Sequence, residues 1–213
     1  MTHYANIAEI RDQALAASNS SRNVHDHVKH LDVPELQALS LQDRLPWHTL
    51  CLNLTGDLNV GTIIRSSHCL GASSVIVFGR QKIDNRSMVG ASHYIKVEKI
   101  SAMTLNLEYD VELFVNTLKQ RRLVPVFVEC GGQPANVAPW AQWHQAMQNR
   151  GEQLCLIMGN ESGGIPREIM QTGDLFANSH VVSVPQRGVI RSLNVAVAHS
   201  MVSGFLCSNL NWM

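Results

Sequence analysis

The sequence predicts an α/β fold in which a mostly parallel sheet carries helices on both faces. Apolar, strand-like runs alternate along the chain with segments that have the periodicity of amphipathic helices. Such alternation favours parallel pairing, because each crossover helix returns the chain to the end of the sheet at which the previous strand began. An apolar content of 45% in 213 residues is enough to build a sizeable buried core.

The first 46 residues differ from the rest, and we predict that 1–46 is a partly helical N-terminal extension. Residues 7–17 could form a short helix, and Pro34 is well placed to open a second one. The histidines of 25–30 are closely spaced and have no cysteine beside them, so a solvated segment is favoured over a metal site. We predict that 47–213 forms one domain.

Within this domain the apolar runs and the periodic segments give the order of the elements. Strands are expected at 48–54, 74–79, 94–98, 123–129, 154–158 and 180–184, of which 94–98 is the weakest. Helices are expected at 60–70, 111–121, 138–148, 166–171 and 193–207. Gly71 is placed to end the first of these helices. The last helix carries an apolar stripe, typical of a core or a subunit contact, at Leu193, Val197, Met201 and Phe205. Gly204 in the same helix suggests close packing there.

Charge and cysteine content narrow the function classes. Seventeen basic and 17 acidic residues leave a formal net charge of zero, so an RNA partner would have to be held by local basic patches. The five cysteines contain no C-x-x-C pair, which argues against a disulfide framework or a zinc site. Cys51, Cys69 and Cys155 lie in apolar runs and are expected to be buried thiols. No segment approaches the roughly 20 apolar residues of a membrane span, and we expect a cytoplasmic protein.

The first of three polar loops runs over 53–65, between a strand and a helix. It lacks the glycine spacing of dinucleotide- and triphosphate-binding loops. Asn59 could cap the helix, and Gly61 would allow a ligand or a neighbouring backbone to approach closely. Arg65 is either directed at a ligand or one half of a surface salt bridge.

The second loop, 156–166, places Glu161 between Gly159 and the Gly163-Gly164 pair. The glycines would allow successive backbone amides to turn toward a ligand. Glu161 could bind an arginine or a backbone amide, or it could simply be a carboxylate favoured by a helix N-terminus.

The third loop, within 184–198, joins a strand end to an apolar helix. Ser192 and Asn194 are both suited to cap that helix. Because a helix needs only one such cap, the other side chain is available for a ligand.

Together these loops resemble the motifs of the SpoU/TrmH class of the SPOUT superfamily, the knotted RNA methyltransferases. The first is similar to the N-x-G-x-x-x-R element of that family, the second to G-x-E-x-x-G and the third to P-x-x-G…S-L-N. The matching residues are Asn59, Gly61, Arg65, Gly159, Glu161, Gly164, Pro185, Gly188, Ser192, Leu193 and Asn194. The resemblance covers about 48–208 and implies that the domain 47–213 ends in a deep trefoil knot.

The resemblance also implies a reaction, which is methyl transfer from S-adenosyl-L-methionine to a ribose 2′-hydroxyl of tRNA or rRNA without a metal. It assigns the chemistry to Arg65, as an electrostatic stabiliser or an unusually activated base. The implied catalytic residues are Arg65, Asn59, Glu161, Ser192 and Asn194. The implied cofactor-binding residues are Met158, Gly159, Asn160, Gly164, Ile165, Val184, Gln186, Ser192 and Leu193.

By the same resemblance the protein is expected to form a homodimer through its last helix, so that Arg65 acts beside the cofactor of the partner subunit. The expected RNA-binding residues flank the loops and are Arg80, Lys82, Arg86, Arg187 and Arg191. Two alternatives stay open at this point. One is a related enzyme that methylates an RNA base. The other is a non-catalytic RNA-binding or ribosome-associated protein, although such a protein has no reason to keep the whole catalytic set.

Overall fold

A computed structural model of the protein describes residues 22–52, 57–79, 83, 85–102, 108–160 and 163–210. The strands in these ranges are β1 (Leu45–Leu52), β2 (Ala72–Phe78), β3 (Lys96–Ile100), β4 (Leu123–Pro134), β5 (Gln153–Met158) and β6 (His180–Ser183). The α-helices are α1 (Val33–Gln42), α2 (Asp57–Cys69), α3 (Asn85–Met88), α4 (Val111–Gln120), α5 (Trp140–Gln148), α6 (Arg167–Gln171) and α7 (Val195–Asn209). Short 3-10 turns lie at Asp26–Val28, Ala91–His93, Ala135–Val137 and Thr172–Leu175.

The six strands form one sheet in the order β3-β2-β1-β5-β4-β6, and all neighbouring pairs run parallel. The predicted α/β fold with a mostly parallel sheet is therefore confirmed. The trefoil knot stays a prediction. The strand order reverses between β1 and β5, and ligands of parallel sheets bind outside the carboxyl ends of the strands near such a reversal.

The sheet has a hydrophobic core on each face, as expected for parallel strands covered by helices. One core joins α2, α5 and α7 to the sheet through side chains such as Ile63, Trp140 and Leu206. The other core joins α4 and α6 to the opposite face through Phe114 and Ile169. All five of these side chains are fully buried.

The observed helix starts differ from the predicted starts by a few residues. Hydrogen bonds to capping side chains set two of the observed starts. Helix α2 begins at Asp57, so Asn59 lies inside the helix and the prediction that it caps the helix was wrong. Helix α7 begins at Val195, because the Asn194 side chain accepts hydrogen bonds from the amides of the first turn. The capping interpretation of Ser192 was therefore wrong, and that of Asn194 is confirmed.

Helix α1, the one element of the extension with α-helical structure in the described residues, begins at Val33. Asp32 caps it, with its Oδ1 accepting a hydrogen bond from the Glu35 amide at 2.8 Å. The Glu35 carboxylate accepts one from the Asp32 amide in return at 2.8 Å. This reciprocal capping box explains why the helix starts before the predicted position. The candidate helix at 7–17 lies outside the described residues.

Two smaller predictions concern glycines and three concern cysteines. Gly71 ends α2 with φ +75°, as predicted. A Cβ on Gly204 would meet nothing within 4 Å, so the close packing expected there does not occur within this chain. Cys51 and Cys155 are buried as predicted, whereas Cys69 is exposed because the last turn of α2 faces the extension across an open cavity.

His199 links β1, α2 and α7 through a buried network of hydrogen bonds. Its Nε2 lies 3.0 Å from Thr49 Oγ1 and 3.3 Å from Ser67 Oγ, and its Nδ1 lies 3.0 Å from Ser66 Oγ. The ring is fully buried, and desolvation lowers the pKa of His199 to about 3. The imidazole is therefore neutral at physiological pH.

None of the described helices is long and apolar enough to cross a membrane.

We expect His199 to make stability depend on pH. Its pKa is about 3 in the folded protein against an ordinary value of 6.5, so between these values the unfolded chain binds more protons. The stability is fully present above pH 6.5 and is lost as the pH falls toward 3. The slope from this one group is at most about 1.4 kcal/mol per pH unit. Urea denaturation between pH 7 and about pH 4 measures it.

His199→Gln retains a hydrogen-bonding side chain but does not titrate, so it should flatten this slope. His30→Gln, at an exposed position, is the matched control and should leave the slope unchanged. Equal slopes in the wild type and His199→Gln would show that the buried imidazole is not the source.

Candidate functional site

A pocket of about 480 Å³ lies at the carboxyl ends of β5 and β6, beside the middle of β4. Its walls come from residues 128–130 of β4, from the loops that follow β5 and β6, and from the first turn of α7. Eight of the nine predicted cofactor-binding residues line it: Met158, Gly159, Asn160, Gly164, Val184, Gln186, Ser192 and Leu193. The ninth, Ile165, is buried directly behind the loop that carries Gly164. Residues that lie far apart in the sequence therefore meet at one pocket.

The loop after β5 folds back on itself and forms one wall. The amide of Asn160 donates to the Gly164 carbonyl at 3.0 Å, and the Gly164 amide donates to the Asn160 carbonyl at 3.1 Å. The Asn160 Oδ1 also accepts a hydrogen bond from the Gly163 amide at 2.6 Å. A Cβ on Gly159 would collide with the Gly164 backbone, so only glycine allows this fold. Glu161 lies outside the described residues.

Glu129 fixes this loop from the neighbouring strand, and the sequence analysis missed it. Its Oε2 accepts a hydrogen bond from the Ile165 amide at 2.8 Å, and its Oε1 accepts one from the Cys130 amide at 2.9 Å. Gly164, with φ +66°, packs so closely that a Cβ would collide with this carboxylate. Glu129 and Cys130 both line the pocket.

An interruption of β4 explains why Glu129 reaches the pocket. Strand β4 pairs with β6 up to Val128 and resumes at Gln133, so the residues between them leave the ladder. Bulges of this kind redirect side chains beside functional sites. In the sequence, the local indication of this role is a carboxylate at the end of an apolar strand, shortly before two glycines. The register shift that directs it cannot be read from one strand alone.

Asn59 and Asn194 bring α2 and α7 together at the edge of the pocket. The Asn194 Nδ2 donates to Asn59 Oδ1 at 3.0 Å, while Asn194 Oδ1 accepts from the amides of Ala196 at 2.9 Å and Val197 at 3.3 Å. One amide side chain therefore caps α7 and also holds α2. Ser192 is exposed and lines the pocket without being needed as a cap.

Arg65 lies away from this pocket in the structure. It is exposed on α2, about 9 Å further along the helix axis than Asn59. It lines a second cavity, of about 1200 Å³, between the extension and α2. Arg65 is not among the described residues that line the smaller pocket. Within a single copy of the chain, Arg65 therefore lines a different cavity from Ser192 and Asn194.

The predicted RNA-binding cations have different placements. Arg187 and Arg191 are exposed in the loop after β6, and Arg191 also lines the smaller pocket. Arg86 is exposed on α3. Arg80 and Lys82 lie outside the described residues. Basic groups thus border the mouth of the pocket on a protein whose net charge is zero.

The stripe predicted on the last helix is divided between the core and the surface. Val202 and Leu206 are buried against the sheet. The α7 face, which we define as Leu193, Val197 and Met201, is exposed at 38%, 48% and 40%. In the preceding loop Val189 and Ile190 are exposed at 101% and 76%. An exposed apolar strip of this length beside a pocket is typical of an interface.

A parallel α/β sheet with a pocket of small-molecule size, walled by glycine loops at the carboxyl ends of its strands, defines a protein that binds a nucleotide or a related cofactor. The model of the SpoU rRNA methylase family matches residues 48–203. The chain belongs to this family of RNA methylases.

Comparison with curated proteins gives a similar sequence of known activity. The chain is 27% identical over 148 residues to the tRNA (guanosine(18)-2′-O)-methyltransferase TARBP1 of Mus musculus. The match covers 68% of this chain and 8% of that protein. The chain thus corresponds to a small part of that much longer relative.

Solved structures show the same fold at low sequence identity. The SpoU methyltransferase AviRb from Streptomyces viridochromogenes, in complex with AdoMet, matches with a TM-score of 0.60 and 22% identity, over 79% of this chain and 58% of that one. The AdoMet-bound rRNA methyltransferase from Sinorhizobium meliloti matches with a TM-score of 0.59 and 21% identity, over 80% and 60%. The A. aeolicus TrmH/SpoU tRNA modifying enzyme matches with a TM-score of 0.62 and 16% identity, over 83% and 81%.

We expect Gly164→Ala to lower the free energy of unfolding by more than the backbone strain of a side chain at a left-handed φ would alone. The new methyl group would add a collision with the Glu129 carboxylate to the strain of a positive φ. Gly131→Ala is the matched control, because Gly131 has φ +85° and a Cβ there would meet nothing within 4 Å. We expect a loss of about 1 kcal/mol for the control and about 2–4 kcal/mol for Gly164→Ala, measured by urea denaturation.

A double-mutant cycle isolates the collision, because Gly164→Ala should cost less stability in a Glu129→Ala background than in the wild type. Equal losses in the two glycine variants would mean that the carboxylate does not constrain the loop.

Proposed function

We propose that the protein is an S-adenosyl-L-methionine-dependent methyltransferase that modifies a ribose 2′-hydroxyl of tRNA or rRNA. The observation that carries this proposal is that eight residues, matched to the cofactor positions of the family from sequence alone, line one pocket. The activity of the similar mouse protein, a tRNA 2′-O-methyltransferase, supports the ribose as the acceptor. The AdoMet complexes of two similar structures support the methyl donor.

The residues present fit this cofactor. The volume of about 480 Å³ lies in the range of small-molecule sites. Val184, Leu193 and Val195 supply apolar walls, and the backbone around Gly159 can approach a flat ring closely. Apolar walls with backbone donors and acceptors suit an adenine. Bound there, the cofactor supplies a methyl group already activated on a sulfonium.

The remaining task for the protein is to make a ribose hydroxyl nucleophilic. A hydroxyl is a weak acid, and the transition state develops negative charge on its oxygen. The Arg65 guanidinium can donate several hydrogen bonds to that oxygen and so stabilises it electrostatically. Asn59 and Asn194 hold the start of α2 against α7 and thereby position the helix that carries Arg65.

A homodimer explains why Arg65 lines a different cavity from the cofactor residues. Methyl transfer requires the reacting atoms to be about 3 Å apart, so Arg65 has to reach a cofactor pocket. A second copy packed on the α7 face would bring the Arg65 of one subunit to the pocket of the other. The exposure of Val197 and Met201 supports this packing.

Dimer formation would also group the cations. Arg191 lines each cofactor pocket, Arg187 lies in the same loop, and a dimer would add Arg65 from the partner subunit. Local clusters of this kind compensate for the absence of net positive charge.

Nucleoside analysis tests the proposal directly. The protein is incubated with labelled S-adenosyl-L-methionine and with tRNA or rRNA from cells that lack it, and the RNA is digested to nucleosides for mass spectrometry. A label on the ribose supports the proposal. A label on a base would identify the related base methyltransferase instead, and no label on any RNA would favour a non-catalytic RNA-binding role.

We expect Arg65→Ala to lower kcat for methyl transfer by at least about 100-fold, because one electrostatic contact to a developing oxyanion has an effect of this size. The affinity for S-adenosylhomocysteine, measured by isothermal titration, should stay within about twofold, because Arg65 is proposed to contact the ribose oxygen and not the cofactor. Arg167→Ala, at an exposed position on α6, is the control and should keep full activity. Full activity of Arg65→Ala would remove Arg65 from the mechanism.

We expect the double variant Val197→Glu/Met201→Glu to be monomeric and inactive, because two charges on the α7 face would oppose burial against a second copy. Light scattering coupled to gel filtration measures the mass, and circular dichroism checks the fold. Val137→Glu places the same charge on a valine that is 66% exposed elsewhere and should leave the dimer intact. A double variant that keeps the wild-type mass would place the interface on another surface.

A further inference from the structure

The larger cavity, beside Arg65, has the N-terminal extension as one wall. It lies between residues 22–28, α1, the second half of α2 and the turn that includes Tyr94. Its volume of about 1200 Å³ exceeds the roughly 300–1,000 Å³ of ordinary small-molecule sites. A nucleotide within a chain, with part of its neighbour, is a ligand of this size.

Two pairs of rings border this cavity. The rings of His25 and His27 are stacked, with centroids 5.8 Å apart and an interplanar angle of 25°. The rings of His68 and Tyr94 are 5.9 Å apart with an angle of 31°. His25 and His27 are exposed, so a further planar ring can reach them from the cavity. Stacking on such rings is how proteins hold unpaired bases.

The segment that carries the histidine pair is closed on itself, and the end of the extension is tied to the domain. Arg22 closes the segment on itself by donating to the carbonyls of Leu31 at 2.8 Å and Lys29 at 2.7 Å. Arg44, at the end of the extension, donates to the Tyr94 carbonyl at 2.7 Å. The cavity is therefore formed before any ligand binds, which reduces the entropy lost on binding.

The cavity contains cations that can contact RNA. Arg44 and Arg65 line it together with two acidic residues, Asp26 and Asp43, and the Asp26 carboxylate forms an ion pair with Lys29 at 2.6 Å. A metal is not favoured, because no group of three potential ligands of the His, Cys, Asp or Glu type exists in the described part of the chain. Planar rings beside a guanidinium are the groups that contact bases and phosphates of single-stranded RNA.

We propose that this cavity receives an unpaired nucleotide of the RNA substrate, with its base stacked on the His25–His27 pair. The proposal rests on the proposed function, because Arg65 then addresses the ribose of this nucleotide or of its neighbour. It assigns to the extension a direct part in substrate binding.

The test compares His25→Ala/His27→Ala with the wild type in the full-length chain. Binding of tRNA and rRNA fractions, taken from cells that lack the protein, is measured by filter retention, and methyl transfer is measured on the same fractions. We expect RNA affinity to fall and KM to rise by about tenfold or more, while kcat changes by less than about threefold. The affinity for S-adenosylhomocysteine should not change.

Two further variants separate stacking from a structural effect. His25→Tyr/His27→Tyr keeps planar rings and should restore the RNA affinity. His30→Ala, in the same segment but outside the cavity lining, should bind RNA like the wild type. Unchanged RNA affinity in His25→Ala/His27→Ala would overturn the proposal, and so would a loss that the tyrosine variant does not restore.

The same measurements distinguish failure of the cavity proposal from failure of the proposed methyl-transfer function. A wild type that binds RNA without methylating it would overturn the reaction alone, and the binding comparison would still decide the role of the cavity. A wild type that binds neither RNA fraction would overturn both.

Discussion

The contact between α2 and α7 is the constraint on which both cavities depend. His199 bonds to Thr49 on β1 and to Ser66 on α2, one residue after Arg65. A buried imidazole whose nitrogens lost these partners would leave unsatisfied polar groups, at a cost of about 1–3 kcal/mol each. The network therefore holds the two helices in one relative position. In that position Asn194 meets Asn59 at the edge of the smaller pocket.

Close packing at two glycines shapes one wall of the smaller pocket. Gly159 allows its main chain to lie closer to that of Gly164 than any Cβ permits, and Gly164 packs against the Glu129 carboxylate. Glu129 satisfies the buried amide of Ile165 that this approach would otherwise leave without an acceptor. The chain thus forms rigid backbone donors and acceptors, which cost little further ordering when a ligand binds.

The main strands and helices could be predicted from local patterns, and the resemblance to family motifs identified most members of the smaller pocket. Apolar runs bounded by glycine and proline predicted the strands, whereas helix starts were displaced by a few residues, in two cases because Asn194 or Asp32 caps the helix. The position of Glu129 depends on the interruption of β4 against β6, which is a property of pairing between distant segments. The His199 network likewise joins residues up to 150 positions apart. No local pattern contains this information.

The separation of Arg65 from the smaller pocket bears on how a neutral protein binds RNA selectively. With no net charge, long-range attraction is weak, so affinity has to come from contacts at short range. The proposed stacking of a base on rings in one cavity and the proposed binding of a cofactor in the other would both be contacts of that kind. Neither alone brings a ribose hydroxyl to the methyl group, because α2 separates the two cavities within one chain. If two copies combine their cavities, only an RNA whose nucleotide fits the first cavity places its ribose at the second. Selectivity then comes from geometry, and the extension contributes to it.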